Sequence, residues 1–425
     1  MNKQFNSATC SSNTNMGADT MKMRASSVPW LGNVPEHWRV LSIRRICQVK
    51  RGASPRPIES PQYFDHDGEY AWVRISDVSA SNKYLIATTQ RLSKTGKEKS
   101  VPLEPGALFL SIAGSVGKPI ITKIKCCIHD GFVYFLGLKE SADFLYYLFC
   151  TGELFKGLGK LGTQLNLNTD TISNIKIPIP PLTEQRRIAN FLDRETDKID
   201  RLIAEKEKLV GQLEEKRLAM TNTALQMSET QLMRFGLVAE RMNRAVHVVD
   251  EDEYTPVGLY NYGRGMFHKM ATRGRELGDS SFFYIEADDL VLSGQFAWEG
   301  AVALARKEDA GCVASHRYPI FTARPNMAHP GYLFSFFRTD TGHMLLNHHS
   351  RGAAGRNRPL NDRTLAKEKI PVPPMPIQKQ IGEMLEQEIR LREEVERSNA
   401  FLLERRAALI SAAVTGRLDV REVVS

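Results

Sequence analysis

Glycines come first among the residues whose spacing could do chemistry. Gly157-Leu-Gly159-Lys-Leu-Gly162 spells GxGxxG, and Phe155-Lys-Gly157-Leu-Gly159 spells the FxGxG of many methyltransferases. Both need a strand before the glycines and a helix after them, so that helix amides meet a phosphate or cofactor. Here an aromatic helical stretch precedes, TQLNLNTDT follows as poor helix sequence, and the double prolines sit in IPPL and VPPM rather than in an Asn-Pro-Pro-aromatic loop. Gly114-Ser-Val-Gly117-Lys118 fails as a phosphate loop, because Ile112 stands where the first glycine belongs and Pro119 where Ser or Thr is needed. Cys126-Cys127-Ile128-His129 is a poor metal cluster, since neighbours on a strand face opposite ways. Asp288-Asp289 and the acidic run Asp250 to Glu253 lack a His or Lys at a recognisable spacing, so solvated turns are expected there. No nucleophile–base pair emerges, and the chain is expected not to be an enzyme by itself.

Loop chemistry suited to DNA is what remains. Arg can be bidentate to guanine, and Asn or Gln to adenine, when a rigid scaffold presents them to the major groove. Glycine lets backbone approach phosphate closely. Candidates in the first half are Lys50, Arg51, Ser54 and Arg56 in KRGASPRP, Lys118, and Gln164, Asn166 and Asn168 in TQLNLN. Those in the second half are Arg264, Lys269, Arg273 and Arg275 in YGRGMFHKMATRGR, and Arg351, Arg356, Asn357 and Arg358 in RGAAGRNR.

The elements that must carry these loops are written twice. Ile177 to Leu192 reads IPIPPLTEQRRIANFL and Ile370 to Leu385 reads IPVPPMPIQKQIGEML, a constant shift of 193 residues. Leu167-Asn168 falls on Leu360-Asn361 and Thr171 on Thr364 in the same register. Each phrase leads into a long stretch without proline, where apolar residues recur mostly at three- and four-residue steps or their sums: Ile188, Leu192, Ile199, Leu202, Leu209 and Leu213, then Ile381, Leu385, Val395, Leu402 and Leu409. Prolines force an extended lead-in, and the periodicity predicts a helix with a coiled-coil-like seam after it. About 40 residues make a rod on the order of 60 Å if unbroken. Glu195 and Lys206 interrupt one seam, and Glu388, Arg392, Asn399 and Arg406 the other, so the two helices are expected to pack on each other.

Ahead of each helix lie short β-rich runs and one aromatic helical piece, DFLYYLFCT in the first half and GYLFSFFRT in the second. The fold class expected is therefore α+β, with two mixed α/β domains separated by two long antiparallel helices in an internal pseudo-twofold repeat. Expected boundaries are a disordered segment over 1–27, a first globular domain over 28–182 and a first helix over 183–228. A second domain over 229–375, a second helix over 376–415 and a tail over 416–425 follow. The second domain lacks an opening like PEHW and begins indistinctly around FGLVAERMNRAVHVV.

A formal charge of +8 gains meaning once it is located. Thr183 to Gln226 carries nine basic and nine acidic residues, and Pro376 to Thr415 six and seven, so the whole excess lies outside the helices. That distribution suits a polyanionic partner. The six cysteines show no framework spacing and read as reduced thiols, and no apolar run reaches the length of a membrane span. A cytoplasmic protein without a membrane partner is expected.

Taken together, WLGNVPEHW (Trp30–Trp38), PIPPLTEQRRIANFLD (Pro178–Asp193), the second PVPPMPIQKQIGEML and TGRLDV (Thr415–Val420) resemble the specificity subunit of a type I restriction–modification system. The resemblance covers residue 28 to the end. It implies two target-recognition domains, each reading one half of a bipartite double-stranded DNA site, with the helices as the ruler for the gap. It also implies two methyltransferase subunits docked on this frame, at Pro180, Pro181 and Gln185 in one copy and Pro373, Pro374 and Gln378 in the other, joined by restriction subunits. No cofactor would bind the chain directly; S-adenosylmethionine, ATP and Mg2+ belong to the partner subunits. Two other readings stay open: a stand-alone or fused adenine methyltransferase using Phe155 to Gly159, and a coiled-coil scaffold with no DNA role.

Overall fold

The prolines that open each repeated phrase decide the frame. In the computed structural model, which describes residues 21–156, 158, 167–352 and 358–423, strand Lys176–Ile179 leads into helix Leu182–Leu225, and strand Lys369–Val372 into helix Met375–Val414. Both starts obey the 193-residue shift. Pro178 and Pro371 lack an N–H, and each sits in a two-stranded ribbon, where one ladder edge needs no donor. At each turn, the carbonyl of Pro181 or Pro374 accepts the first amides of the helix. Asn168 and Asn361 cap the short helices Thr169–Asn174 and Asp362–Leu365 by accepting from the amides of Thr171 and Thr364, at 2.8 and 3.1 Å. The matched Leu-Asn…Thr spacing in the sequence is thus a pair of helix caps.

The lead-in strands pair antiparallel with Arg39–Ser42 in one half and Gln231–Arg234 in the other. The second domain therefore has an opening strand equivalent to the one after PEHW. It begins at Gln231, ahead of the Phe235 where the sequence pattern became readable, because backbone pairing needs no particular side chains. Within the segment expected to be disordered, Met23–Ala25 forms an exposed strand on Asn33–Pro35, and Val28, Leu31 and Val34 form a small buried cluster.

Two compact units result, one comprising residues 1–201 with 400–425 and the other residues 202–399. Each contains part of each long helix. Among the described residues, the first unit holds a five-stranded mixed sheet and a four-stranded sheet; the second holds a four-stranded antiparallel sheet with four two-stranded ribbons, its lead-in pair included. In both, an aromatic helix (Ala142–Cys150 and Pro330–Arg338) buries nearly all its length against sheet and long helix. Lys83 ties the first to its long helix, 2.8 Å from Asp143 and 2.6 Å from Asp193, with Tyr84, Tyr146 and Tyr147 rings around its amine.

Within each unit the long helices run antiparallel. Asp200 meets Arg406 at 3.1 Å in the first. In the second, Lys206 meets Ser398, Glu207 meets Asn399, Glu214 meets Arg392 and Arg217 meets Glu388. From Glu207 through Glu214 to Arg217 in one helix, the partners run back from Asn399 through Arg392 to Glu388 in the other. The residues that interrupt the apolar seams, Lys206, Glu388, Arg392, Asn399 and Arg406, are the ones that bond across the pair. Glu195 is the exception, paired with Lys198 on its own helix.

The second aromatic helix approaches its long helix closely at two glycines. A methyl group added at Gly331 would lie 2.8 Å from the Cα of Gly382, with no flexible side chain to yield. Gly331→Ala is expected to destabilise the chain by about 1–3 kcal/mol through overpacking. A denaturant midpoint unchanged from wild type would contradict this close packing.

Candidate nucleic-acid interface

In the first unit, the loop carrying Arg51, Ser54 and Arg56 is laid onto the turn after Cys126–Ile128. A side chain at Gly52 would strike the carbonyl of His129 at 2.2 Å, so only glycine lets the two backbones touch. Asp130 then gathers the loop. Arg51 Nε donates to its carbonyl at 2.5 Å, Ser54 Oγ to Oδ1 at 2.7 Å, and Arg56 Nη2 lies 3.3 Å from Oδ2. The hydrogen bond from Ser54 holds the Asp130 carboxyl below its ordinary range, with the charges of His129 and Arg51 adding to it. The Arg56 side chain is 76% exposed and is oriented by one carboxylate oxygen. Lys50 is exposed beside it on strand Gln48–Arg51, opposite Tyr134. Lys118 is half-buried and donates to the carbonyl of Ser79 at 3.1 Å, and desolvation lowers its pKa. Asn168 is engaged as a helix cap, and Gln164 and Asn166 lie outside the described residues.

The second unit presents a different surface. GLYNYGRGMF and LSGQFAWEG have no close counterpart in the first half, and here they clasp one another. The Tyr262 amide donates to the Glu299 carbonyl at 3.1 Å and the Gly263 amide to the Gly300 carbonyl at 2.8 Å, while the Asn261 side chain bonds to the Glu299 carboxylate. The sharp turn is made by left-handed backbone at Tyr262, Gly263 and Gly265, with φ of 60°, 63° and 90°. Arg264 lies over the ring of Tyr260 at 5.2 Å, and Arg358 over Trp298 at 5.0 Å while donating to Asn347 Oδ1 at 3.3 Å. Tyr262 and Phe296 stand exposed nearby in sequence. Aromatics held beside arginines suit stacking on bases as well as pairing with phosphate. Tyr260, Tyr262, Phe296 and Trp298 were not among the expected residues; their interleaving with glycine and arginine was the available signal.

The other candidates are dispersed. Lys269 is exposed after the ribbon Met266–His268. Arg273 and Arg275 both pair with Glu251, at 3.5 and 3.2 Å, so the acidic run is their partner as well as a solvated turn. Arg351 donates to the carbonyl of His348 at 3.2 Å and remains exposed. Arg356 and Asn357 lie outside the described residues.

The residues expected at docking surfaces divide into two kinds. Gln185 and Gln378 are buried and bond inward in the same way. Gln185 accepts the Ser141 amide at 2.9 Å and donates to the Pro180 carbonyl; Gln378 accepts the His329 amide at 2.8 Å and donates to the Pro373 carbonyl. Each glutamine joins the start of an aromatic helix to the proline turn of a long helix. Pro180 and Pro373 are buried, Pro181 is exposed and Pro374 half-buried. The terminal phrases also meet in the first unit. Trp38 Nε1 donates to Glu184 Oε1 at 3.0 Å, His37 Nε2 lies 2.8 Å from Glu184 Oε2, and Gly416 packs on Pro35 and Trp38.

The cysteine pair expected to be a poor metal cluster is split by its strand. Cys126 packs with Ala71 and Val73, and Cys127 with Tyr70 and Trp72, on opposite faces of their strand. The description that fits is a scaffold repeated twice, presenting two unlike polar surfaces. The chain belongs to the family described as the type I restriction modification DNA specificity domain, which matches it over residues 35–210 and again over 249–400. Among similar proteins, the specificity subunit of the type I restriction enzyme MjaIX of Methanocaldococcus jannaschii is 28% identical over 40% of this chain and 40% of its own length. That of MjaVIII from the same organism is 26% identical over 46% and 47%. The chain thus spans less than half the length of these relatives. A solved chain from a study of complex assembly and conformational transition of the type I R-M system shares the fold, with a TM-score of 0.57 at 14% identity, covering 91% of this chain and 99% of that one.

Proposed function

We propose that this chain is the non-catalytic DNA-recognition subunit of a type I restriction–modification complex. Each globular domain reads one half of a bipartite, asymmetric site, and the helix pair sets the unread gap. One observation carries this reading: the frame is repeated to the residue, through matched asparagine caps, glutamine clasps and proline turns, while the polar loops it holds differ. A repeated frame suits two like partners, and differing loops suit two unlike sequences. Arg51, Ser54 and Arg56 form the first reading loop, and Arg264 and Arg358 with their aromatic platforms the second. Lys50 and Lys269 add phosphate contacts that position without specifying. The proline turns at Pro181, which is exposed, and Pro374, which is half-buried, are the docking points for two methyltransferase subunits, which supply the cofactor chemistry, and restriction subunits join through them. Among the described residues no helix is long and apolar enough to cross a membrane.

The test uses the chain assembled with its methyltransferase subunits. Duplex binding should weaken linearly in log–log form with added salt. Arg56→Ala should cost about 1–3 kcal/mol and relax preference at one base pair if Arg56 reads a base edge. A weakening uniform across sequences, with a salt slope lowered by about 1, would assign it to phosphate instead. No effect on either would remove this loop from the interface.

A further inference from the structure

We infer that the buried ion pair of Arg217 and Glu388 is the register key of the helix pair, and so a determinant of which gap length the subunit accepts. This rests on the reading of the helices as a ruler.

An apolar seam that repeats every seven residues does not by itself fix how far two helices slide along each other. Moving them by one heptad exchanges one apolar contact for another. A buried polar residue in such a seam breaks that degeneracy, because only one register satisfies it. Arg217 and Glu388 have this character. Their side chains are 1% and 5% exposed, and Arg217 Nε sits 2.7 Å from Glu388 Oε2. One heptad either way, Arg217 would face Ile381 or Val395, and Glu388 would face Val210 or Ala224, all buried and apolar. Each slipped register therefore leaves Arg217 without its carboxylate in the core and Glu388 with only Arg392 of its own helix.

The key also holds the recognition domain. Arg217 Nη1 donates at 2.8 Å to Ser335 Oγ, on the aromatic helix, and Ser335 donates in turn to the Gly331 carbonyl. Arg392 bridges Glu388 and Glu214 at 3.1 and 3.3 Å, and Arg338 on the aromatic helix reaches Glu214 at 3.1 Å. Three helices are thus set by one network within the second unit. The other half has no such pair at the equivalent place. By the 193-residue shift, Glu388 corresponds to Glu195, which bonds Lys198 on its own helix, and Arg217 to Ile410, which lies in the apolar core. One half of the frame carries the key.

The experiment compares wild type with the volume-matched double variant R217M/E388L, each assembled with its methyltransferase subunits. Methylation is read on duplexes with the native gap and with one base pair more or fewer. The double variant should lose about tenfold of its preference for the native gap, with half-site base preferences unchanged and thermal stability equal or higher. Full retention of gap preference in a folded double variant overturns the key. Should that variant fail to assemble, E388Q, which removes one charge and keeps the shape, gives the same reading: loosened gap preference supports the proposal and unchanged preference overturns it. The ruler itself is judged separately, by helix shortening. If shortening moves the gap while R217M/E388L still discriminates, the ruler stands and the key does not.

Discussion

Removing seven residues from each long helix, Glu205 to Gly211 and Glu394 to Ala400, is expected to shorten the unread gap by up to about three base pairs. A heptad is about 10 Å of helix, against 3.4 Å per base pair of duplex, and fewer pairs are lost if helix and duplex are inclined. Seven residues are chosen because a heptad returns the seam to the same face within about 20°. These two stretches are chosen because they pair with each other: Lys206 with Ser398, and Glu207 with Asn399. The flanking pairs, Asp200 with Arg406 and Glu214 with Arg392, are left to re-form. Both half-sites should be unchanged, since no reading loop is touched. The methylated motif produced in cells shows all of this at once, and a motif with its original gap would sink the ruler. Cutting one helix alone should instead abolish assembly, because the antiparallel register could not be kept.

Arg217→Met alone should be among the most damaging single substitutions in the chain, at about 3–5 kcal/mol. It leaves Glu388 charged in a place that water does not reach, and deprives Ser335 of its donor. The loss should fall toward the low end, because Arg392 still lies 3.1 Å from the other Glu388 oxygen. R217M/E388L should be nearly neutral or stabilising, since two well-packed apolar side chains avoid the cost of desolvating two charges. Equilibrium denaturation of both variants separates packing from electrostatics; a single variant as mild as the double would mean that the pair is not buried as described. The neighbouring Glu214 sharpens the picture. Burial pushes its carboxyl up, but the hydrogen bond from Arg338 and the charges of Arg338, Arg392 and Arg217 outweigh this and hold it below its ordinary value. Its contribution is therefore complete at neutral pH and fades as pH falls below the usual glutamate value, through the depressed one.

Much of the frame was legible before any coordinates. Prolines at 178, 180 and 181 and at 371, 373 and 374 can be neither helical nor central in a sheet, so the lead-ins and helix starts followed directly. The failure of each seam to stand alone announced a partner, and all the interrupting residues but Glu195 proved to be its contacts. The candidate site was less legible. Arg51, Ser54 and Arg56 were visible as a polar loop, but Asp130, which orders them, stands 74 residues beyond Arg56. The acidic run read as a bare turn holds Arg273 and Arg275 through Glu251. Gln185 and Gln378 stood out by repetition, and repetition could not tell an exposed docking residue from a buried clasp.

The sequence by itself determined the duplication, the place where each long helix begins, and the location of the positive excess. These depend on φ restriction and periodicity, both of which are local. Only the tertiary structure decided which loops share a surface and which charges are buried. Tyr262 meets Glu299, Arg358 meets Trp298, and Arg217 meets Glu388 across 171 positions. The worth of a charge depends on its partner and its access to water, and neither is carried by spacing along the chain.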